Sequence, residues 1–175
     1  MALIVENGTG LATAESYCSV AEATAYFSNI GNASWAALAS DAVREQCLRK
    51  ATTFMLGRYR PKWAGNRKTI GQALDWPRSL CPIKDAPNFY GSTASFYDDA
   101  SVPAEVKNAC ASLALRAATA DLLADQTRMK SSVTVGAIST VYDPYSPIAK
   151  QYREVDAMIL PFLKSNGGQI LMVRQ

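Results

Sequence analysis

The chain has 175 residues, 49% of apolar types and 19% charged, with a net charge of +3. A chain of this length buries roughly 70% of its unfolded surface, enough for one core, so one folded domain is expected and overall disorder is excluded. It has no histidine, which removes His-based acid–base catalysis, Ser-His-Asp and Cys-His nucleophile pairs and most zinc and iron sites, and +3 is too mild to demand a nucleic-acid partner.

From the N-terminus, Leu3-Ile4-Val5 predicts a short strand and Asn7-Gly8-Thr9-Gly10 a turn. Met1 to Val5 is too short for a signal sequence and lacks a basic start. No run of 18 apolar residues follows anywhere, so a cytoplasmic chain with no membrane span is expected. Ser19 with Glu22 three residues on forms a capping box for a helix through Ala23, Tyr26 and Phe27, stopping near Asn29 to Gly31. A second helix opens at Ser34 or Ser40. Its stripe is Trp35, Leu38, Val43, Cys47, Ala51, Phe54 and Met55, and Gly57 and Pro61 end it.

Residues 58–100 are broken by Pro61, Gly65, Gly71, Pro77, Pro82, Pro87 and Gly91. Thr69 to Trp76 predicts one short helix ending at Pro77, and Leu80 to Ser101 reads as a long surface loop. Ser101-Val102-Pro103 then starts an alanine-rich helix running to about Ala124, roughly 33 Å at 1.5 Å per residue. Val133, Val135, Ile138, Val141 and Tyr142 are strand formers, with Gly136 suited to a bulge or turn. Asp143-Pro144 and Ser146-Pro147 open a last helix, striped by Ile148, Tyr152, Val155, Met158, Ile159 and Phe162, which Pro161 kinks or ends. The fold class is mainly α: a small helical bundle with a minor β element near the N-terminus, at 132–142 and in the C-terminal tail. Residues 1–164 form the domain, with a long loop at about 80–101, and 165–175 form the tail.

Residues able to carry chemistry are few. Cys18, Cys47, Cys81 and Cys110 contain no CxxC pair. Two disulfides in any of three connectivities are open, and buried free thiols are expected at the helical positions Cys47 and Cys110. Asp98-Asp99 is a carboxylate pair in a polar turn, and Gly8-Thr9-Gly10 lacks the third glycine and the lysine of a phosphate loop. No enzyme, cofactor or metal is expected.

Two signals remain. Residues 44–78 hold nine Lys and Arg against Glu45 and Asp75, about +7 locally, interleaved with Tyr59, Trp63 and Trp76. Basic plus aromatic suits phosphate neutralisation and base stacking, or else a solvated basic face over core-anchored tryptophans. In the tail, Ser165-Asn166-Gly167-Gly168 is a joint before the apolar run Ile170-Leu171-Met172-Val173. That run pairs with a strand of its own chain, such as 132–142, or reaches a neighbour.

Several strings together carry a resemblance. They are Leu3-Ile4-Val5-Glu6-Asn7-Gly8-Thr9-Gly10-Leu11-Ala12, Ser16-Tyr17, the helix ending Ala25-Tyr26-Phe27, Trp35-Ala36-Ala37-Leu38, Leu48-Arg49-Lys50-Ala51-Thr52 and Arg58-Tyr59. Gln72-Ala73-Leu74-Asp75-Trp76-Pro77-Arg78 is the most specific, and Val102-Pro103 leads into the alanine-rich helix. Over nearly the whole length, with Leu80 to Ser101 as the variable part, the sequence resembles head-to-tail connector (neck) adaptor proteins of tailed bacteriophages, a group that also carries the label DnaT-like single-stranded DNA-binding protein. The resemblance implies a helical virion protein, assembled in the host cytoplasm. It would form a homo-oligomeric ring, typically of twelve copies, between the portal protein and the next neck or tail protein, with genome DNA passing through the channel.

It implies a portal-docking segment at Gly167, Gly168, Gln169, Ile170, Leu171, Met172, Val173 and Arg174. Candidate DNA- or lumen-facing basic residues are Arg58, Arg60, Lys62, Arg67 and Lys68. The candidate surface for the downstream partner is the loop with Phe89, Tyr90, Phe96 and Tyr97. The alternative is a single-stranded DNA-binding replication protein acting through the 44–78 stretch.

Overall fold

The structure is a computed structural model, and it describes residues 2–86, 95–124, 130–134, 139–142 and 150–164. Four α-helices are present among them: α1 (Val20–Asn29), α2 (Asp41–Tyr59), α3 (Ala104–Ala117) and α4 (Arg153–Ile159), the last continuing into a 3₁₀ turn at Leu160–Phe162. Two small antiparallel pairs complete the fold: β1 (Asn66–Arg67) with β2 (Arg78–Ser79), and β3 (Lys130–Thr134) with β4 (Ser139–Tyr142). The mainly α class with a minor β element is what the sequence predicts.

Helix α3 is the central element, with α2 packed along it and α1 and α4 against it. Its buried positions are Val106, Ala109, Cys110, Ala111, Ser112, Leu113, Ala114 and Ala117. Four of these eight are alanines, which bring neighbouring helices close without side-chain bulk. Cys110 is one of four free, buried thiols.

α1 starts where the sequence places it. The Ser19 hydroxyl accepts from the Glu22 N–H at 3.1 Å, and the Glu22 carboxylate accepts from the Ser19 N–H at 2.7 Å, which closes the capping box. α2 starts at its Ser40 cap, so Trp35 and Leu38 lie in a preceding turn rather than on its stripe. Arg44 holds that turn, donating to the carbonyls of Trp35, Ala36 and Leu38. α2 also runs through Gly57 to Tyr59. A mid-helix glycine costs about 1 kcal/mol, which is offset here by burial of Tyr59 and its 2.6 Å hydrogen bond to Asp156.

Two other expectations are corrected. Thr69 to Trp76 forms no helix, because side chains take the backbone groups a helix would use: the Gln72 amide accepts from the Thr69 N–H and donates to the carbonyls of Leu74 and Pro77. α3 ends at Ala117, seven residues short of Ala124, where the Thr119 hydroxyl bonds back to Arg116 and the Asp121 carboxylate caps the Leu123 N–H in a competing turn. Among its described residues the 80–101 region holds no helix or strand, and its two sides meet where Pro82 bridges Phe96, Ile83 N–H donates to Ser95 and Tyr97 N–H to Cys81.

The N-terminal strand is a single parallel bridge, Val5 to Ser16. The 132–142 hairpin is present, with a register irregularity between Lys130 and Ser132, and Val135, Gly136 and Ile138 lie outside the described residues. The last helix begins at Arg153, and Pro161 falls in its closing 3₁₀ turn. Asp143 to Ile148 and the tail from Ser165 also lie outside the described residues.

Candidate functional site

The basic and aromatic stretch 44–78 is the strongest chemical signal in the sequence, and the fold turns its aromatic rings and Arg78 inward while leaving its other cations exposed or half-buried. Trp63 and Trp76 are buried together, rings edge-to-face at 5.8 Å, and Trp76 meets Phe162 in the same way at 5.5 Å. Tyr59 lies against Trp63 at 5.9 Å. Trp35, outside the stretch, is equally buried and stacks on Phe27. None of these rings offers a face on which a base could stack.

The string Gln72 to Arg78 forms a polar knot around these tryptophans. Asp75 is 1% exposed and accepts from Arg60 Nε at 2.9 Å and Trp63 Nε1 at 3.2 Å, while its own N–H donates to the Tyr17 hydroxyl. Burial pushes the Tyr17 phenol far up, and the Asp75 charge beside it adds to that. Arg78, also buried, donates to three carbonyls: Ala64 at 2.7 Å, Asp75 at 3.1 Å and Gly65 at 2.6 Å. At Gly65, φ is +66° and an added Cβ would stand 2.5 Å from the Ser79 carbonyl oxygen, so only glycine lets these two backbones meet. The most specific string in the sequence is thus a determinant of the fold.

The five candidate basic residues divide. Arg58 turns toward α4 and pairs with Asp156 at 3.4 Å. Arg60 pairs with Asp75. Arg67 donates to the Gln72 carbonyl at 3.0 Å. Lys68 reaches Asp99 at 3.7 Å and the Gly8 carbonyl at 3.4 Å. Lys62 is exposed, with no side-chain partner among the described residues. The partners Asp156 and Asp99 come from distant segments, and no local signal in the sequence announces them.

A second buried carboxylate escaped the sequence reading. Glu6 accepts from the N–H groups of Gly8, Gly10 and Leu11, each at 2.9 Å, and so closes the N-terminal turn around itself. The turn-forming string Asn7 to Gly10 could have pointed to it.

Of the four aromatic residues proposed to meet a downstream partner, Phe89 and Tyr90 lie outside the described residues. Phe96 is 46% exposed, while Tyr97 turns inward onto Phe162, ring centroids 4.8 Å apart.

The docking segment Gly167 to Arg174 likewise lies outside the described residues, but its point of departure does not. Ala64 N–H donates to the Phe162 carbonyl at 2.9 Å and Lys164 N–H to the Lys62 carbonyl at 2.8 Å, around the Trp63–Leu163 bridge.

No group of three or more His, Cys, Asp or Glu among the described residues could hold a metal ion. No helix there is long and apolar enough to cross a membrane.

Over residues 1–175 the chain matches the family described as "Putative DnaT-like ssDNA binding protein". No curated protein and no solved structure matches it.

Proposed function

The chain belongs to this DnaT-like family; from the site geometry and the resemblance of its motifs to neck adaptors we propose that it is a structural, non-enzymatic adaptor of a tailed-phage neck. Copies stand side by side as a ring, with twelve as the expected number. The ring sits between the portal and the next neck or tail protein, and genome DNA passes through its channel. The observation that carries this reading is the burial of the aromatic rings of the 44–78 stretch. Tyr59, Trp63 and Trp76 are core residues, and Arg58, Arg60 and Lys68 are paired with carboxylates. A channel wall must let DNA slide, so a fold that keeps stacking rings away from its surface suits the task. The alanine-rich α3 supports close helix packing in a rigid wedge. The tail sequence sets Gly167-Gly168 before an apolar run suited to adding a strand or plug to another protein.

Deleting residues 168–175, or substituting Gly167→Pro, is expected to leave the helical circular dichroism spectrum unchanged while abolishing capture by isolated portal protein. Normal capture by the truncated chain removes the docking role of the tail.

A second reading is a single-stranded DNA-binding replication protein, and the description of the matched family favours it over a neck role. It predicts tight binding of an oligonucleotide at low salt, falling steeply as salt rises, with quenching of tryptophan fluorescence. The neck reading predicts weak binding and unchanged fluorescence, because all three tryptophans are buried.

A further inference from the structure

Two of the four buried thiols lie together. Three elements meet around them: the segment leading into α1 brings Ser16 and Cys18, α2 brings Thr52, and α3 brings Cys110. All four residues are buried. Ser16 fixes the backbone of Cys18 on both sides, its hydroxyl donating to the Cys18 carbonyl at 2.8 Å and accepting from the Cys18 N–H at 3.3 Å. The same hydroxyl stands 4.0 Å from Cys110 Sγ, and Thr52 Oγ1 stands 3.5 Å from it. The Cys18 thiol donates to the Cys110 sulfur. That bond, joined by those from Thr52, Ser16 and the Tyr17 N–H, holds Cys110 below the ordinary thiol value against the effect of burial. Cys18, as the donor and in a buried place, is pushed well up. Cys18 also lines an open groove of about 430 Å³ between α1 and α3, beside Ala23, Tyr26, Lys107 and Ala111. A small molecule entering that groove meets Cys18 first.

We propose that Cys18 and Cys110 are a redox pair, which an oxidant of the peroxide class converts to a disulfide joining the segment before α1 to the middle of α3. A buried cysteine that serves only as a small apolar residue sits among apolar neighbours and is inert. Cys110 instead has two hydroxyls and a second thiol around its sulfur, and such donors favour the thiolate, the nucleophilic form. The Cys110 thiolate attacks one peroxide oxygen, forming an S–O bond as the O–O bond breaks. The hydroxide that leaves takes the proton of the Cys18 thiol and becomes water. The Cys18 thiolate then attacks the sulfenic sulfur of Cys110. The S–S bond forms, the S–O bond breaks, and the second hydroxide takes up the proton that Cys110 had released. Two thiols thus lose two electrons, and one peroxide is reduced to two waters. In a reducing compartment the pair stays as thiols, and in an oxidising medium it closes. The bridge spans more than half of the chain, so it restricts the unfolded state and ties α1 to the central helix. This device is the same whether the chain serves in a neck or on single-stranded DNA.

The test treats the full chain with hydrogen peroxide in buffer without denaturant, then unfolds it in urea, alkylates the free thiols and maps the peptides by mass spectrometry. Cys47 and Cys81, also buried, serve as internal controls. The expected product is a monomer in which Cys18 and Cys110 are joined while Cys47 and Cys81 carry the alkyl group. Its urea midpoint is expected to lie above that of the reduced chain and to return on treatment with dithiothreitol. In Cys18→Ala no bridge is expected, and dimedone added with the peroxide is expected to label Cys110 in its place. Alkylation of all four cysteines overturns the proposal. So does a bridge that forms only between molecules or only in urea, or pairing of Cys18 or Cys110 with Cys47 or Cys81 to the same extent. A Cys18–Cys110 bridge that leaves the midpoint unchanged or lowers it overturns the tying of α1 to α3.

Discussion

Arg78 shows how a residue's role can be hidden inside a legible string. The sequence marks Gln72 to Arg78 as its most specific string, and Arg78 as the last cation of the basic 44–78 stretch, which suggests a partner outside the chain. In the fold the guanidinium is buried and binds three backbone carbonyls that no other side chain reaches in these hydrogen bonds. Removing it leaves buried acceptors unpaired, at about 1–3 kcal/mol for each group fully stranded. Arg78→Met is therefore expected to destabilise the chain by about 2–4 kcal/mol, read as a fall in the urea midpoint. A midpoint within error of the parent would mean that the knot is dispensable. Asp75 was equally visible as a residue and equally opaque in role, since its partners Arg60, Trp63 and Tyr17 sit 15, 12 and 58 residues away.

At the scale of elements, legibility followed how local the determining contacts are. α1 could be read because its cap, Ser19 with Glu22, lies within one turn. The 69–76 helix could not be excluded, because the Gln72 side-chain bonds that replace it depend on where Leu74 and Pro77 go. The α1 cap also carries a pH dependence. Burial works to raise the Glu22 pKa, but bonds from Lys107 and Ser19 outweigh it and hold the carboxyl below its ordinary value. A folded-state pKa below the unfolded one contributes stability that is present above the unfolded value, about 4.3, and is lost as the pH falls through the lower folded value. Glu22→Gln is expected to be less stable than the parent at neutral pH and to lose less on acidification below that point. Parallel stability–pH curves for the two chains would show that Glu22 contributes nothing through its charge.

At the scale of the molecule, the helical class and the single core were legible from composition and periodicity, whereas the meaning of the basic stretch was not. Whether a tryptophan beside an arginine faces solvent or core is decided by elements far apart in sequence, here α2, the 3₁₀ turn and the 72–78 knot, which enclose Trp63 and Trp76 together. That enclosure is the ground on which the passive, ring-forming role is proposed. Its consequence is physical: phosphate contact from exposed cations such as Lys50, Lys62 and Arg67, without stacking rings, is expected to be weak and salt-sensitive. Electron microscopy of intact particles tests this account most directly. It predicts a closed ring of this chain between the portal and the next neck or tail component, with residues 167–174 lying on the portal. A particle lacking the chain, or a ring in which that segment contacts only its own subunit, would contradict it.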